Sequence, residues 1–438
     1  MKILGRVVLI GLAVVLLAAG GLYLVPLSSY LPRIEQAGAQ ALGEPVKIGG
    51  LRLALLPAPH ATLTDIGVGK AGELRIDKLI ITPKLTSLAS SVKVLRRVEL
   101  KGVSAPVSLL PALSPRDRAG ATPIARIERI AVTGARFALP SGGMIPLDAD
   151  ISLGATGRAE RIEVRSPDGR IRIEGLPEKD HMKVNLVATH WTLPAGAPIR
   201  FDRLTAAGEL RESALTIKTI TGALYGGTLA GDAELGWRKG FSLHGSASLQ
   251  GVAIEPLLAL FTNSAKLSGL LDTRARFSAT APDVAALADA VRADGSFVVR
   301  NGVLRNVDLA RTASLVGGAH TRGGNTRFDE FSGNSRVIGK AYRLERLSVR
   351  SGLLNARGEV DIAPSRRLDG TVWVELKSGV SLLQVPLRVA GTTQDPVLYP
   401  TGAAIAGAAV GTAVLGPAGT AAGTRLGDVI ENLFGGRK

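Results

Sequence analysis

Apolar and polar residues alternate with a period of two along most of this chain, the pattern of strands with one dry and one wet face. The clearest instance is Arg161-Ile162-Glu163-Val164-Arg165 followed by Arg170-Ile171-Arg172-Ile173-Glu174, on either side of Ser166-Pro167-Asp168-Gly169. Pro and Gly suit turn positions, so this stretch predicts a hairpin. Ile162, Val164, Ile171 and Ile173 then share one side and six charged residues the other. The alternation recurs at Leu74-Arg75-Ile76, Leu215-Thr216-Ile217-Lys218, Phe241-Ser242-Leu243, Ser296-Phe297-Val298-Val299, Leu344-Glu345-Arg346-Leu347-Ser348-Val349 and Thr371-Val372-Trp373-Val374. Helical patterns are few and short: residues 28–42 (Leu31, Ile34, Leu42), 254–261, 282–293 (Val284, Leu287, Ala288 and Val291 on one side) and 307–316. Proline-rich breaks fall near 114–123 and 194–198. The expected fold is mainly β, antiparallel-rich, with a body divided into residues 28–195 and 196–400.

Something must cover the dry face, because each Leu or Ile left wet forfeits roughly 1.5–3 kcal/mol. Two covers fit the alternation. A second sheet or helices would make a packed sandwich, the usual solution. A curved open sheet would instead hold lipid tails against its concave face.

The ends of the chain break the pattern. Residues 7–25 carry no charge and include Val8, Leu12, Val15, Leu16 and Leu22. At about 1.5 Å per residue such a helix spans roughly 28 Å, the hydrocarbon core of a bilayer. Lys2 and Arg6 precede it, which keeps the N-terminus cytoplasmic and puts the body across the membrane. Ala18-Ala19-Gly20 would suit cleavage of a signal peptide, but Leu22-Tyr23-Leu24-Val25 continues the apolar run, so residues 1–27 read as a stub and an uncleaved anchor. At the other end, residues 402–423 are uncharged and rich in Gly and Ala, with Gly407/Gly411 and Gly419/Gly423 on either side of Pro417. Residues 425–434 then place Leu426, Val429, Ile430, Leu433 and Phe434 on one helical face. The tail, 401–438, is expected to form a small-residue helical hairpin and an amphipathic helix that meets a membrane or partner.

Charge and composition narrow the chemistry. The net charge of +16 invites a nucleic-acid reading. Basic residues are, however, spread singly, with runs no longer than pairs such as Arg96-Arg97 and Arg366-Arg367, and aromatics make up only 4% of the chain. A solvated strand face drawn to anionic head groups fits better, and no nucleic-acid partner is expected. With no cysteine there is no disulfide, thiolate metal site or cysteine nucleophile. Gly67-Val68-Gly69-Lys70-Ala71-Gly72 spells a dinucleotide fingerprint, but strand-like Glu73-Leu74-Arg75-Ile76-Asp77 follows where a helix is needed. His60, His181, His190, His244 and His320 have no metal-ligand spacing, and Asp148 and Asp150 read as solvated carboxylates. No catalytic residue, metal or cofactor is expected; the protein reads as non-enzymatic.

Two stretches resemble the AsmA family of envelope proteins. After the apolar segment come Tyr30-Leu31-Pro32, Leu42-Gly43-Glu44-Pro45-Val46-Lys47-Ile48-Gly49, Leu53-Ala54-Leu55-Leu56-Pro57-Ala58-Pro59 and Leu63-Thr64-Asp65-Ile66-Gly67-Val68-Gly69, in the order of the family's opening, with Glu44 where a basic residue is usual. The second stretch, about 219–400, includes Leu224-Tyr225-Gly226-Gly227, Leu267-Ser268-Gly269, Asn301-Gly302-Val303, Gly358-Glu359-Val360-Asp361-Ile362 and Val385-Pro386-Leu387-Arg388-Val389-Ala390-Gly391-Thr392. The resemblance implies a single-pass inner-membrane anchor and an elongated periplasmic β-groove that binds or conducts phospholipid and supports outer-membrane homeostasis. The alternative is a non-enzymatic assembly factor for outer-membrane proteins. Implied partners are phospholipid, the inner membrane, and the outer membrane or one of its proteins. The residues placed to line such a groove are Leu74, Ile76, Ile162, Val164, Ile171, Ile173, Val298, Leu344, Val349, Val372 and Val374. A topology reporter fused after Leu42 should be active only on the periplasmic side; cytoplasmic activity would reverse the predicted orientation.

Overall fold

The computed structural model describes residues 30–401 apart from 57, 71, 88–91, 107–124, 140–142, 195–196, 262–265, 284, 315–322, 353 and 379–380. The apolar segment at 7–25, with Val8, Leu12, Val15, Leu16 and Leu22, and the tail from 402 lie outside the described residues. No helix among the described residues is long and apolar enough to cross a membrane. What is described is mainly β, with twenty-two strands and a few short helices.

The described parts of Met1–Ala195 and Arg203–Ile217 form one compact unit; those of Gly196–Asp202 and Lys218–Lys438 form another. The first unit opens with α1 (Leu31–Leu42), followed by β1 (Val46–Ala54), β2 (His60–Val68), β3 (Leu74–Pro83), β4 (Lys93–Pro106), β5 (Ala125–Ile127), β6 (Arg129–Ala138), β7 (Met144–Leu153), β8 (Ala159–Arg165), β9 (Ile171–Pro177) and β10 (Met182–Thr192). Neighbours in sequence pair antiparallel from β1 to β4 and from β6 to β10. The exception is β4, which runs parallel to β5 and β6 across a long connection. Pro32 sits in the first turn of α1, where no amide partner is lost, and Gly43 ends the helix at φ 73°, its amide donating to the Ala39 carbonyl. Ile34 of α1 is fully buried, and Glu35 accepts the Ile48 amide at 2.7 Å, tying helix to sheet.

Two strands, β11 (Arg200–Leu210) and β12 (Ala214–Leu224), are divided between the units. The second unit continues with β13 (Gly227–Gly236), β14 (Phe241–Ala253), β15 (Leu267–Ala281), β16 (Arg292–Arg305), β17 (Asn325–Ile338), β18 (Ala341–Arg350), β19 (Leu354–Ile362), β20 (Leu368–Ser378), β21 (Ser381–Gly391) and β22 (Pro396–Pro400). Every consecutive pair from β13 to β22 is antiparallel. The three remaining helical patterns are shorter than the periodicity suggests: α2 (Ile254–Ala259), a single 3-10 stretch (Ala285–Ala290) and α3 (Leu309–Ser314). Each covers apolar sheet surface. Ile254 and Leu309 join the main core of this unit, while Leu287 closes over Ala279 and Ala281. Thr326 anchors α3 from inside the core, its hydroxyl accepting the Leu309 amide at 3.0 Å and donating to the Val307 carbonyl at 2.9 Å.

Bulges bend these strands. In β14 the register shifts between Leu249 and Val252, with Gly251 at φ 64°. The Gly251 amide is met by Asp272 at 2.7 Å, and Asp272 also pairs with Arg300. The amide foremost, then the guanidinium, holds the Asp272 pKa below its ordinary value. A lowered carboxylate pKa adds stability that is full above the ordinary aspartate range and lost as pH falls through the lowered value. Asp272→Asn should therefore cost about 1 kcal/mol at neutral pH. Its denaturant midpoint and that of the parent should converge as the solution is acidified.

Candidate functional site: two apolar rows that leave the core

Strand register turns the two-residue alternation of the first unit into straight cross-strand rows. One row runs Leu53, Ala61, Ile81, Val98, Ile130, Ile151, Ile162, Gly175, Val184. The row beside it runs Leu51, Leu63, Leu79, Leu100, Val132, Ala149, Val164, Ile173, Leu186. Both pass through the same residue class from β1 to β10 without a charge, but their surroundings change on the way. On β2–β4 the side chains are sealed: Leu63 is 0% exposed, Leu79 and Ile81 1%, Val98 2%. From β7 onward, Ile151, Ile162, Val164, Ile173, Val184 and Leu186 are only half-buried, and none of them is among the buried members of a hydrophobic core. A filled core therefore passes into a strip of half-buried apolar side chains, with Ile151 still packed against that core and Ala188, further along the same face of β10, fully buried.

The opposite face of the same strands is occupied by ion pairs. Asp150, Glu163 and Glu174 lie in one row, which would repel if left alone. Arg129 reaches Asp150 at 2.7 Å, and Arg161 reaches Glu163 at 2.8 Å and Glu174 at 2.5 Å. Hydrogen bonding and charge from Asp150 raise the Arg129 pKa. Asp148, the other carboxylate of that strand, accepts the Gly134 amide at 2.8 Å. Exposed pairs of this kind add little stability, at most about 1 kcal/mol each. Their effect is to assign the faces, since flipping the sheet over would bury several charges.

Of the residues singled out by sequence, Ile162, Val164, Ile171 and Ile173 lie on this strip, in the hairpin whose turn is closed by the Gly169 amide to the Ser166 carbonyl at 2.9 Å. Leu74 is half-buried against the sealed core of the first unit, and Ile76 is inside it. In the second unit Val349 and Val374 are core residues, at 8% and 0% exposure, with Val372 packed against them. Leu344 is half-buried opposite Val360 on that same side. Val298 is on the other face: it stands opposite Asp272 in register, one residue from the fully buried Val299. Strict alternation makes only one of two adjacent valines dry, and the structure gives that place to Val299. Sequence reading overlooked Ile151, Val184 and Leu186, although Met182-Lys183-Val184-Asn185-Leu186 carries the same alternation as the hairpin beside it.

In the second unit the apolar side begins differently. Its first strands present a row of short side chains, Gly231, Ala247, Ala275, Gly295 and Ser335, which continues as Leu344, Val360, Gly370, Val389 and Leu398. Residues 201–338, from the second residue of β11 to the last residue of β17, match the AsmA family. Over that stretch the chain resembles the AsmA family. The matched stretch thus includes the strands with the short-side-chain floor, β13–β17, and it ends where β17 ends. A comparison with curated proteins and with solved structures finds no match to the chain.

Among the described residues no three His, Asp or Glu side chains are grouped so as to hold a metal ion. The glycine-rich stretch is the β2–β3 turn, with Gly69 and Gly72 at positive φ and the Gly72 amide on the Gly69 carbonyl at 3.2 Å. The contrast between sealed and open parts of one row can be measured. Leu79→Ala should cost about 2–5 kcal/mol in urea unfolding. Ile173→Ala, two-sided in contact with solvent and protein, should cost about 1 kcal/mol.

Proposed function

We propose that the half-buried apolar strip on β7–β10 holds the acyl chains of phospholipid, and that the protein is a non-enzymatic, inner-membrane-anchored periplasmic factor that binds or conducts lipid in support of outer-membrane homeostasis. The observation that carries this reading is the passage of two charge-free rows out of a sealed core onto strands where, beyond Ile151, their large side chains are only half-buried. Six side chains left half-wet forfeit roughly 5–10 kcal/mol between them, as much as the net stability of a typical domain. An alkyl ligand recovers that loss at roughly 0.8 kcal/mol per buried methylene, and it needs no catalytic group to do so. The match of residues 201–338 to the AsmA family is consistent with an envelope role of this kind.

The competing reading, an assembly factor that pairs its sheet edge with client strands, finds a poor edge in β22. That strand is five residues long with proline at each end, Pro396 and Pro400, which removes amide donors and blunts strand addition.

Photo-reactive residues placed at Ile162 and Ile173 should form phospholipid adducts detectable by mass spectrometry, while one placed at Leu79 should not. Val164→Lys combined with Ile173→Asp should lower co-purified phospholipid several-fold with strand content unchanged. Adducts only to protein, or global unfolding of the charged variant, would overturn the lipid-binding assignment.

A further inference from the structure

Four of the large apolar side chains that are well exposed in this protein gather at one end of the first unit. Leu55 and Leu56, 60% and 83% exposed, form the β1–β2 connection; Leu85 and Val92, 55% and 47% exposed, belong to the β3–β4 connection. Register brings the two loops together, because Ala54 stands opposite His60, Ala61 opposite Ile81, and Pro83 opposite Leu95. No contact with the strip is involved; these residues project from the strand ends rather than from the dry face.

The same end is basic. Arg52, Lys84, Lys93, Arg96 and Arg126 occupy the last turns of these strands and loops, and Lys84 and Arg126 share the single carboxylate of Glu128, at 2.7 and 3.7 Å. Apolar tips ringed by cations have the chemistry of a surface that dips into the head-group region of an anionic bilayer. A second copy of the chain would bring the same positive charge against itself, which disfavours self-association through this end. Reach points the same way. Tyr30 and Leu31 pack on the core of this unit. Tyr30 lies five positions after residue 25, a span of at most about 18 Å.

We propose that the loop end formed by Leu55, Leu56, Leu85 and Val92 is a membrane-docking rim, inserted in the anionic leaflet to which the N-terminal segment is tethered. This rests on the anchored orientation proposed above and is independent of what occupies the apolar strip.

The chain has no cysteine, so Leu56→Cys and Leu85→Cys can each be labelled uniquely with an environment-sensitive fluorophore in the full-length protein. Met144→Cys is the control: Met144 is 66% exposed and pairs with Ala138, at the opposite end of the strands. In vesicles of phosphatidylethanolamine and phosphatidylglycerol, probes at 56 and 85 should shift to the blue and be quenched by nitroxide-labelled lipid, while the probe at 144 should do neither. Adding Leu85→Asp to the protein labelled at 56 should lower insertion of that probe about tenfold. Photo-adducts at Ile173 in the same protein report separately on the strip, so failure of one reading is not failure of the other. Equal quenching at 56 and 144, equal insertion into purely zwitterionic vesicles, or a concentration-dependent blue shift without lipid would each overturn the rim.

Discussion

Cross-strand register is the constraint on which the rest depends. A β-strand turns each successive side chain to the opposite face, so a pairing slip of one residue would exchange the two faces of every strand beyond it. In the first unit nine strands keep Leu, Ile, Val, Ala or Gly in step along two rows, and the ion pairs of Arg129 and Arg161 hold the alternate positions outward. The ladder hydrogen bonds themselves are indifferent to side-chain type. Specificity comes from the cost of placing Asp150, Glu163 or Glu174 against Leu79 and its neighbours, a burial penalty several times any single ion pair.

What varies along the rows is the cover. Ile34 of α1 closes one side of the first core, and in the second unit Ile254, Leu287 and Leu309 do the same from three short helical pieces. These pieces are too short to be stable by themselves and draw their stability from the sheet. Thr326 shows how closely one is fitted, since its hydroxyl serves the first amide of α3 from beneath. Among the described residues, the side chains of the two rows pass from sealed to half-buried across β6 and β7.

Much of this was legible in the residues. The hairpin around Ser166-Pro167-Asp168-Gly169 is where alternation and turn chemistry placed it, and the four helical patterns fall on four helical elements. The level at which sequence fails is cover. Ile76 and Ile173 look alike in a period-two pattern, yet one is sealed and the other open, because burial depends on which helix lies above a strand rather than on the strand. Local alternation also misplaced Val298, where two valines in succession leave the facing ambiguous until the partner strand sets Asp272 opposite one of them. Parallel pairing of β4 with β6 had no local signal, since it is set by a connection of more than a dozen residues.

The sealed stretch of the two rows has a consequence for traffic. Ile130 and Val132 carry the rows into a core already packed with Leu79, Ile81, Val98 and Leu100. Within the first unit that core acts as a stopper. A lipid held on β7–β10 as proposed would meet that core end-on and would have to be loaded sideways, across the strand ends, with its polar end still in water. On that reading the first unit would be a berth with one blind wall, and movement along the rows would run away from the stopper.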